Sequence, residues 1–179
     1  MYLHHETILP AFPLCVSWSP YHPTLGYSKG NLAAVGTFLK GIDVWDLNDV
    51  ESLEPLVTLG GYQVRRDSKP RKKGKKGRKT SQQLAPDSHR GEVMSVDWNR
   101  VQQEYLASGG ADCLVKFWDV ESGTCVSTLE QHKDKVQALA WHPAEEAKLL
   151  SDLWRPRKMA SLFSMTYAPR GKMQNQCGG

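Results

Sequence analysis

The stretch that decides the fold is HRGEVMSVDWNRVQQEYLASGGADCLVKFWDVESGTCVSTLE, which runs from His89 to Glu130. Short runs rich in β-branched and aromatic residues alternate here with turns made of glycine, aspartate and serine. Such runs favour strands, and such turns favour the connections between them. The pattern predicts strands at 93–98, 105–108, 113–118 and 124–129, each of the length usual in sheets. The stretch therefore predicts one four-stranded antiparallel sheet.

Tryptophan marks this unit and recurs outside it. Trp98 closes the first predicted strand, and Trp18 and Trp141 close similar runs elsewhere in the chain. Trp98 and Trp141 lie 43 residues apart, which is the period of one blade in a propeller protein. A second mark is a Trp-Asp pair that ends another strand, found at Trp45-Asp46 and Trp118-Asp119. The same sheet is therefore predicted to recur along the chain.

The unit from His89 to Glu130 resembles the WD-repeat family, whose fold is the β-propeller. The resemblance implies a hydrogen-bonded tetrad made of His89, Ser108, Asp112 and Trp118. A buried imidazole and a buried indole need hydrogen-bond partners, and a hydroxyl and a carboxylate supply them. A Ser, His and Asp set could also indicate a hydrolase, but the sequence has no G-x-S-x-G elbow. We therefore expect no enzyme activity, no cofactor and no metal site.

The units predict an all-β fold, a partial WD-repeat β-propeller of about three four-stranded antiparallel blades with an incomplete ring. Val35 and Leu39 replace the tetrad Ser and Asp in the first unit. The third unit opens with His132, nine residues before Trp141, and loses the pattern after Leu150. We expect a fragment or truncated form of a longer protein, whose open edges would make it associate. The predicted organisation is an outer strand of a missing preceding blade at 1–9, a degenerate blade at 10–60, a disordered basic loop at 61–88, a complete blade at 89–130, a partial or diverged blade at 131–170 and a disordered tail at 171–179.

The excess of basic residues is concentrated in one segment. The formal net charge is +4, but ten basic residues stand between positions 65 and 79 against one acid, Asp67. The segment has no aromatic residue for base stacking and is predicted to be disordered. It is a nuclear localisation signal, a non-specific binder of RNA or DNA phosphates, or a solvated linker without a partner. The candidate residues are Lys69, Arg71, Lys72, Lys73, Lys75, Lys76, Arg78 and Lys79.

Five stretches before this segment resemble the periodic tryptophan protein 1 family more narrowly. They are YLHHETIL at 2–9, NLAAVG at 31–36, IDVWDL at 42–47, VESLEP at 50–55 and VTLG at 57–60. The resemblance implies a scaffold of the nucleus and nucleolus that acts in ribosome biogenesis, rRNA processing or the chromatin of rRNA genes. Its partners would be proteins of pre-ribosomal or chromatin complexes.

Other functions stay open at this point. Propellers also serve as substrate receptors of cullin-type ubiquitin ligases, which resemble one another in an arginine two residues after the Trp-Asp pair. Asn48 and Glu121 stand there instead, which counts against that function. No apolar run is long enough to span a membrane. We expect neither a membrane nor a small-molecule substrate as a partner.

Overall fold

The computed structural model describes residues 6–26, 29–64, 82–153 and 163–166. Within these ranges the chain forms strands and no helix, so none is present there that could cross a membrane. The strands are β1 (Pro13–Ser19), β2 (Leu32–Thr37), β3 (Gly41–Asp46), β4 (Val57–Gly60), β5 (Tyr62–Val64), β6 (Gln82–Leu84), β7 (Val93–Trp98), β8 (Tyr105–Gly110), β9 (Val115–Asp119), β10 (Thr124–Leu129), β11 (Val136–Trp141), β12 (Lys148–Leu153) and β13 (Phe163–Thr166).

These strands assemble into three antiparallel blades and a small hairpin. Blade 1 is the sheet β1-β2-β3-β4, blade 2 is β7-β8-β9-β10, and blade 3 is β11-β12-β13. The hairpin pairs β5 with β6. The described blades are separate sheets that do not close into a ring. The predicted all-β fold, a partial propeller, is therefore confirmed.

Some predicted boundaries differ from the structure. The third strand of blade 2 begins at Val115 rather than at 113, because Cys113 has a φ of 66° and lies in the turn. The pattern predicted to be lost after Leu150 continues as strand β12 to Leu153. The outer strand predicted at 1–9 is not formed by residues 6–9, and residues 1–5 lie outside the described part of the chain.

The basic loop predicted to be disordered over 61–88 is ordered at both of its ends. Strands β5 and β6 pair there, with Tyr62 opposite Leu84. The backbone N–H of Ala85 also donates to the carbonyl of Gly61 at 2.9 Å. These pairings bring Val64 opposite Gln82, and residues 65–81, the remainder of the predicted disordered loop, lie outside the described part of the chain.

Each blade has two faces, because side chains alternate along a strand. We call the face that packs on the following blade the back face, and the face on the preceding side the front face. The back face of blade 1 and the front face of blade 2 enclose one apolar core: Leu32, Ala34, Ile42, Val44, Leu59, Val93, Val96, Trp98, Leu106, Trp118 and Val120. The back face of blade 2 and the front face of blade 3 enclose another: Ala107, Val115, Phe117, Leu129, Val136, Leu139, Trp141, Leu149 and Leu153.

The first strands of the blades are joined by one hydrogen-bond scheme that is used twice. The indole Nε1 of Trp98 donates to the carbonyl of Ser17 at 3.0 Å, and that of Trp141 donates to the carbonyl of Asp97 at 3.1 Å. The residue that accepts the indole N–H also accepts the backbone N–H of the same tryptophan, through its side chain. The backbone N–H of Trp98 donates to Ser17 Oγ at 3.3 Å, and that of Trp141 donates to Asp97 Oδ2 at 2.8 Å. Each of these tryptophans therefore fastens its blade to the preceding one.

Candidate functional site

The structure brings the four tetrad residues of blade 2 together in one hydrogen-bonded chain. The indole Nε1 of Trp118 donates to Ser108 Oγ at 2.8 Å, and Ser108 Oγ lies 2.8 Å from His89 Nε2. His89 Nδ1 lies 3.0 Å from Asp112 Oδ1. A carboxylate only accepts, so Nδ1 carries a proton and donates to Asp112, while Nε2 shares a hydrogen bond with the serine hydroxyl. Every polar side-chain group of the tetrad therefore has a hydrogen-bond partner.

Asp112 holds the hydrogen-bonded tetrad in place from the turn between β8 and β9. Its carboxylate also accepts the backbone N–H of Arg90 at 2.7 Å and that of Leu114 at 3.2 Å. Burial acts to raise the pKa of Asp112, but the hydrogen bonds and the charge interaction with His89 outweigh it and lower that pKa to about 2. The carboxylate therefore stays ionised at neutral pH and ties the segment before β7 to the turn.

The order Ser-His-Asp is also that of a hydrolytic triad, in which the serine hydroxyl must reach a substrate. Here the side chains of Ser108 and His89 are fully buried, with 0% exposure. The oxygen that would attack a substrate instead accepts the indole N–H of Trp118. The arrangement stabilises the packing of blade 2 on blade 1, and it presents no nucleophile at the surface.

Blade 1 carries an apolar counterpart of the tetrad. Val35 stands in the register position of Ser108, and Trp45 in that of Trp118. The indole N–H of Trp45 is buried and has no hydrogen-bond partner within the described residues. Leu9 precedes Trp18 by nine residues, the spacing that separates His89 from Trp98. That spacing could have identified Leu9 as the residue in the histidine position.

These substitutions leave a groove on the front face of blade 1. Its volume is about 730 Å³, and its walls are Thr7, Leu9, Asn31, Ala33, Val35, Trp45, Leu47 and Asn48. Trp18 lies on the same face and is 51% exposed, and its indole Nε1 donates to Asn31 Oδ1 at 2.6 Å. The groove thus combines an apolar wall, a buried donor without a partner and a rim of amide groups.

Blade 3 keeps half of a tetrad. His132 Nε2 lies 3.0 Å from Ser151 Oγ, and both residues are buried. Burial lowers the pKa of His132, which favours the neutral ring at this position. Sequence reasoning missed Ser151, although its separation of 19 residues from His132 is the same as that of Ser108 from His89.

The remaining predicted residues have structural positions or lie outside the described part. Asp46 and Asp119 each close the turn after the Trp-Asp pair, because a carboxylate oxygen accepts the backbone N–H two residues on, at 2.9 Å in both cases. The basic residues from Lys69 to Lys79 lie outside the described residues. No group of three metal-binding side chains is present in the described ranges.

The blade architecture and the tetrad chain are those of WD-repeat proteins. A family model described as the anaphase-promoting complex subunit 4 WD40 domain matches residues 73–144. Fold and sequence together therefore show a resemblance to the WD-repeat family.

Comparison with curated relatives narrows this resemblance to particular WD-repeat proteins. It is 30% identical over 151 residues to periodic tryptophan protein 1 homolog of Drosophila melanogaster, covering 84% of this chain and 29% of that protein. It is 35% identical over 154 residues to periodic tryptophan protein 1 of Saccharomyces cerevisiae, covering 84% of this chain and 27% of that protein. It is also 33% identical over 75 residues to ribosome biogenesis protein WDR12 homolog of Chlamydomonas reinhardtii, covering 42% of this chain and 17% of that protein. The chain therefore resembles periodic tryptophan protein 1 and spans less than a third of the length of these relatives.

Proposed function

We propose that this chain is a non-enzymatic interaction scaffold that acts in ribosome biogenesis in the nucleus and nucleolus. The observation that carries the proposal is the similarity to two periodic tryptophan proteins 1 along 84% of the chain. The shorter similarity to a protein named for ribosome biogenesis supports the same process. Processing of rRNA and control of rRNA-gene chromatin are the finer roles within this proposal, and proteins of those complexes are its partners.

The geometry of the tetrad supports a scaffold rather than a hydrolase. The serine hydroxyl of blade 2 is buried at the interface with blade 1 and bound to Trp118. A nucleophile needs access to the substrate and to a group that stabilises the oxyanion. Blade 2 uses the same functional groups to hold two sheets together, which is the task of a rigid platform for binding other macromolecules.

The basic segment gives the scaffold a second role, in localisation or in binding phosphates. Its ends are fixed by the pairing of β5 with β6, which leaves the residues between them as an insertion beside blade 1. Ten basic residues against one acid there suit a nuclear localisation signal or a non-specific contact with RNA or DNA.

A localisation experiment separates these two uses of the basic segment. Replacement of Lys72, Lys73, Lys75 and Lys76 by alanine is expected to remove the tagged chain from the nucleolus without lowering its thermal stability. The control is Lys133→Ala with Lys135→Ala, at two exposed lysines of blade 3, and it should localise as the wild type does. If the variant stays nucleolar but loses salt-sensitive RNA binding, the segment binds phosphates and is no localisation signal.

Affinity purification of the tagged chain, with and without ribonuclease, tests the scaffold itself. Pre-ribosomal proteins that remain bound after ribonuclease treatment are the expected result, since a scaffold contacts proteins directly. Recovery of cullin subunits in their place would overturn the proposal and favour a ubiquitin-ligase receptor.

A further inference from the structure

The three blades share one register, which makes their back faces directly comparable. In each blade the first strand pairs with the second through the same bulge, so that Cys15 is opposite Gly36, Ser95 is opposite Gly109, and Ala138 is opposite Asp152. The position that lies two residues further along each first strand follows the same pattern. There Ser17 is opposite Ala34, Asp97 is opposite Ala107, and Ala140 is opposite Leu150. Four positions thus describe the back face of every blade.

In blades 1 and 2 these positions receive the first strand of the next blade. Ser17 and Asp97 accept the backbone N–H of the next tryptophan, and Ser95 Oγ accepts the N–H of Leu139 at 3.0 Å. The glycines allow close approach: a Cβ at Gly36 would lie 2.8 Å from Val93 Cγ1, and one at Gly109 would lie 2.5 Å from Val136 Cγ1. A side chain at either glycine would therefore collide with the next blade.

Blade 3 differs at all four positions. Ala138 and Ala140 cannot accept a backbone N–H through their side chains. Asp152 stands in the place of the glycines, so its side chain fills the volume that the next valine would need. Leu150 replaces the alanines and is 38% exposed. The back face of blade 3 can therefore not receive a further blade in the way that the other two do.

The front face of blade 1 has the opposite character. Trp18 is 51% exposed, whereas its counterparts Trp98 and Trp141 are 1% and 5% exposed because each is docked on a preceding blade. Val16, on the same strand, is 68% exposed. The groove beside Trp18 also holds the indole N–H of Trp45, which has no hydrogen-bond partner among the described residues. This face has the docking residues of a blade with nothing docked on them in the described part of the chain.

We propose that the three-blade arc has one docking end and one terminal end. The front face of blade 1 binds the back face of another WD-type blade, one that carries a glycine on its second strand and a hydroxyl or carboxylate before its first-strand tryptophan. The back face of blade 3 ends the stack. The two blade interfaces inside the chain use equivalent residues at the same register positions, and the front face of blade 1 continues this series. This difference between the ends refines the expectation of association at open edges, because only one of the two end faces can receive a blade.

A gain-of-function variant of the full chain tests both halves of the proposal. The substitutions Ala138→Ser, Ala140→Asp, Leu150→Ala and Asp152→Gly copy the back face of blade 2 onto blade 3. The variant should form head-to-tail oligomers, because its two end faces become complementary. In sedimentation velocity its weight-average mass should rise about two-fold or more with concentration, while the wild type shows no such growth.

Trp18→Ala in the same variant should abolish the assembly, and the control Leu53→Ala, at an exposed leucine outside the face, should not. All four substituted positions of blade 3 are at least partly exposed. The double variant Ala140→Asp with Asp152→Gly repeats the test with fewer changes. A folded variant that does not assemble would overturn the role given to the back-face positions. Head-to-tail growth of the wild type would overturn the terminal end, and a Trp18-dependent wild-type dimer would overturn the assigned partner.

Discussion

Removal of the tetrad hydroxyl by Ser108→Ala is the most direct perturbation of the fold. Ser108 Oγ serves two buried groups at once, the indole N–H of Trp118 and the imidazole Nε2 of His89, each at 2.8 Å. Without it, both groups lose their partner at the interface of blades 1 and 2, where water does not reach them. A buried polar group that loses its partner costs about 1–3 kcal/mol, so with two such groups the free energy of unfolding should fall by about 2–6 kcal/mol.

Two further serines calibrate this value within the same protein. Ser151→Ala removes the hydroxyl 3.0 Å from His132 Nε2, so the expected loss is about 1–3 kcal/mol for one orphaned group. Ser122→Ala removes an exposed hydroxyl that pairs with Thr124, and a surface change of this kind should stay within about 0.5 kcal/mol. The predicted order of destabilisation is therefore Ser108, then Ser151, then Ser122.

Urea unfolding followed by tryptophan fluorescence measures these losses, and hydrogen exchange locates them. Exchange should accelerate in the first two strands of blade 2 in the Ser108 variant and in blade 3 in the Ser151 variant. If Ser108→Ala is no more destabilising than Ser122→Ala, the buried indole and imidazole do not depend on that oxygen, contrary to this prediction.

Two other predictions concern blade 1 and the pH dependence. In urea unfolding, Val35→Thr should lower the free energy of unfolding by at least about 1 kcal/mol less than Val44→Thr does. The reason is that only the hydroxyl at position 35 stands where it can accept the indole N–H of Trp45, which has no partner among the described residues. Equal losses in the two variants would contradict this prediction. The pKa of Asp112 is lowered from 3.8 to about 2 by its interactions with His89, so the unfolded chain binds more protons in that range and stability falls as the pH drops from about 4 to about 2. The loss should be about 2 kcal/mol, and Asp112→Asn should remove that part of the pH dependence; a variant profile parallel to the wild type would count against it.

Much of blade 2 could be predicted from the sequence because its signals are local. Strand propensity, the turn residues and the spacing between His89 and Trp118 operate within one unit of the chain, and the turn after Gly109 is short. The strand bounds accordingly differ from prediction by two residues at most. The one displaced start, at Cys113, depends on a backbone φ of 66° that nothing in the residue type announces.

Blade 1 and blade 3 were harder to predict because their marks are substituted. Leu9 in the place of a histidine and Val35 in the place of a serine carry no polar signal, yet together they form the groove around Trp45. The separation of 19 residues between His132 and Ser151 was available in the sequence, but only the pairing of β11 with β12 shows that the two side chains meet. Spacing along the chain could identify these positions, and strand register shows which side chains they bring together.

The repeating sheet and the concentration of positive charge before blade 2 follow from residues close together in the chain, and the resemblance to the WD-repeat family supplied the tetrad. Which faces meet depends instead on contacts between distant segments. The bond from Trp98 to Ser17 joins residues 81 positions apart, and a Cβ at Gly36 would collide with Val93 of the next blade as well as with Cys15 of its own blade. The thiol of Cys15, whose pKa burial raises to about 11, likewise takes its environment from that distant strand. Such contacts follow from how sheets stack, which no local pattern encodes.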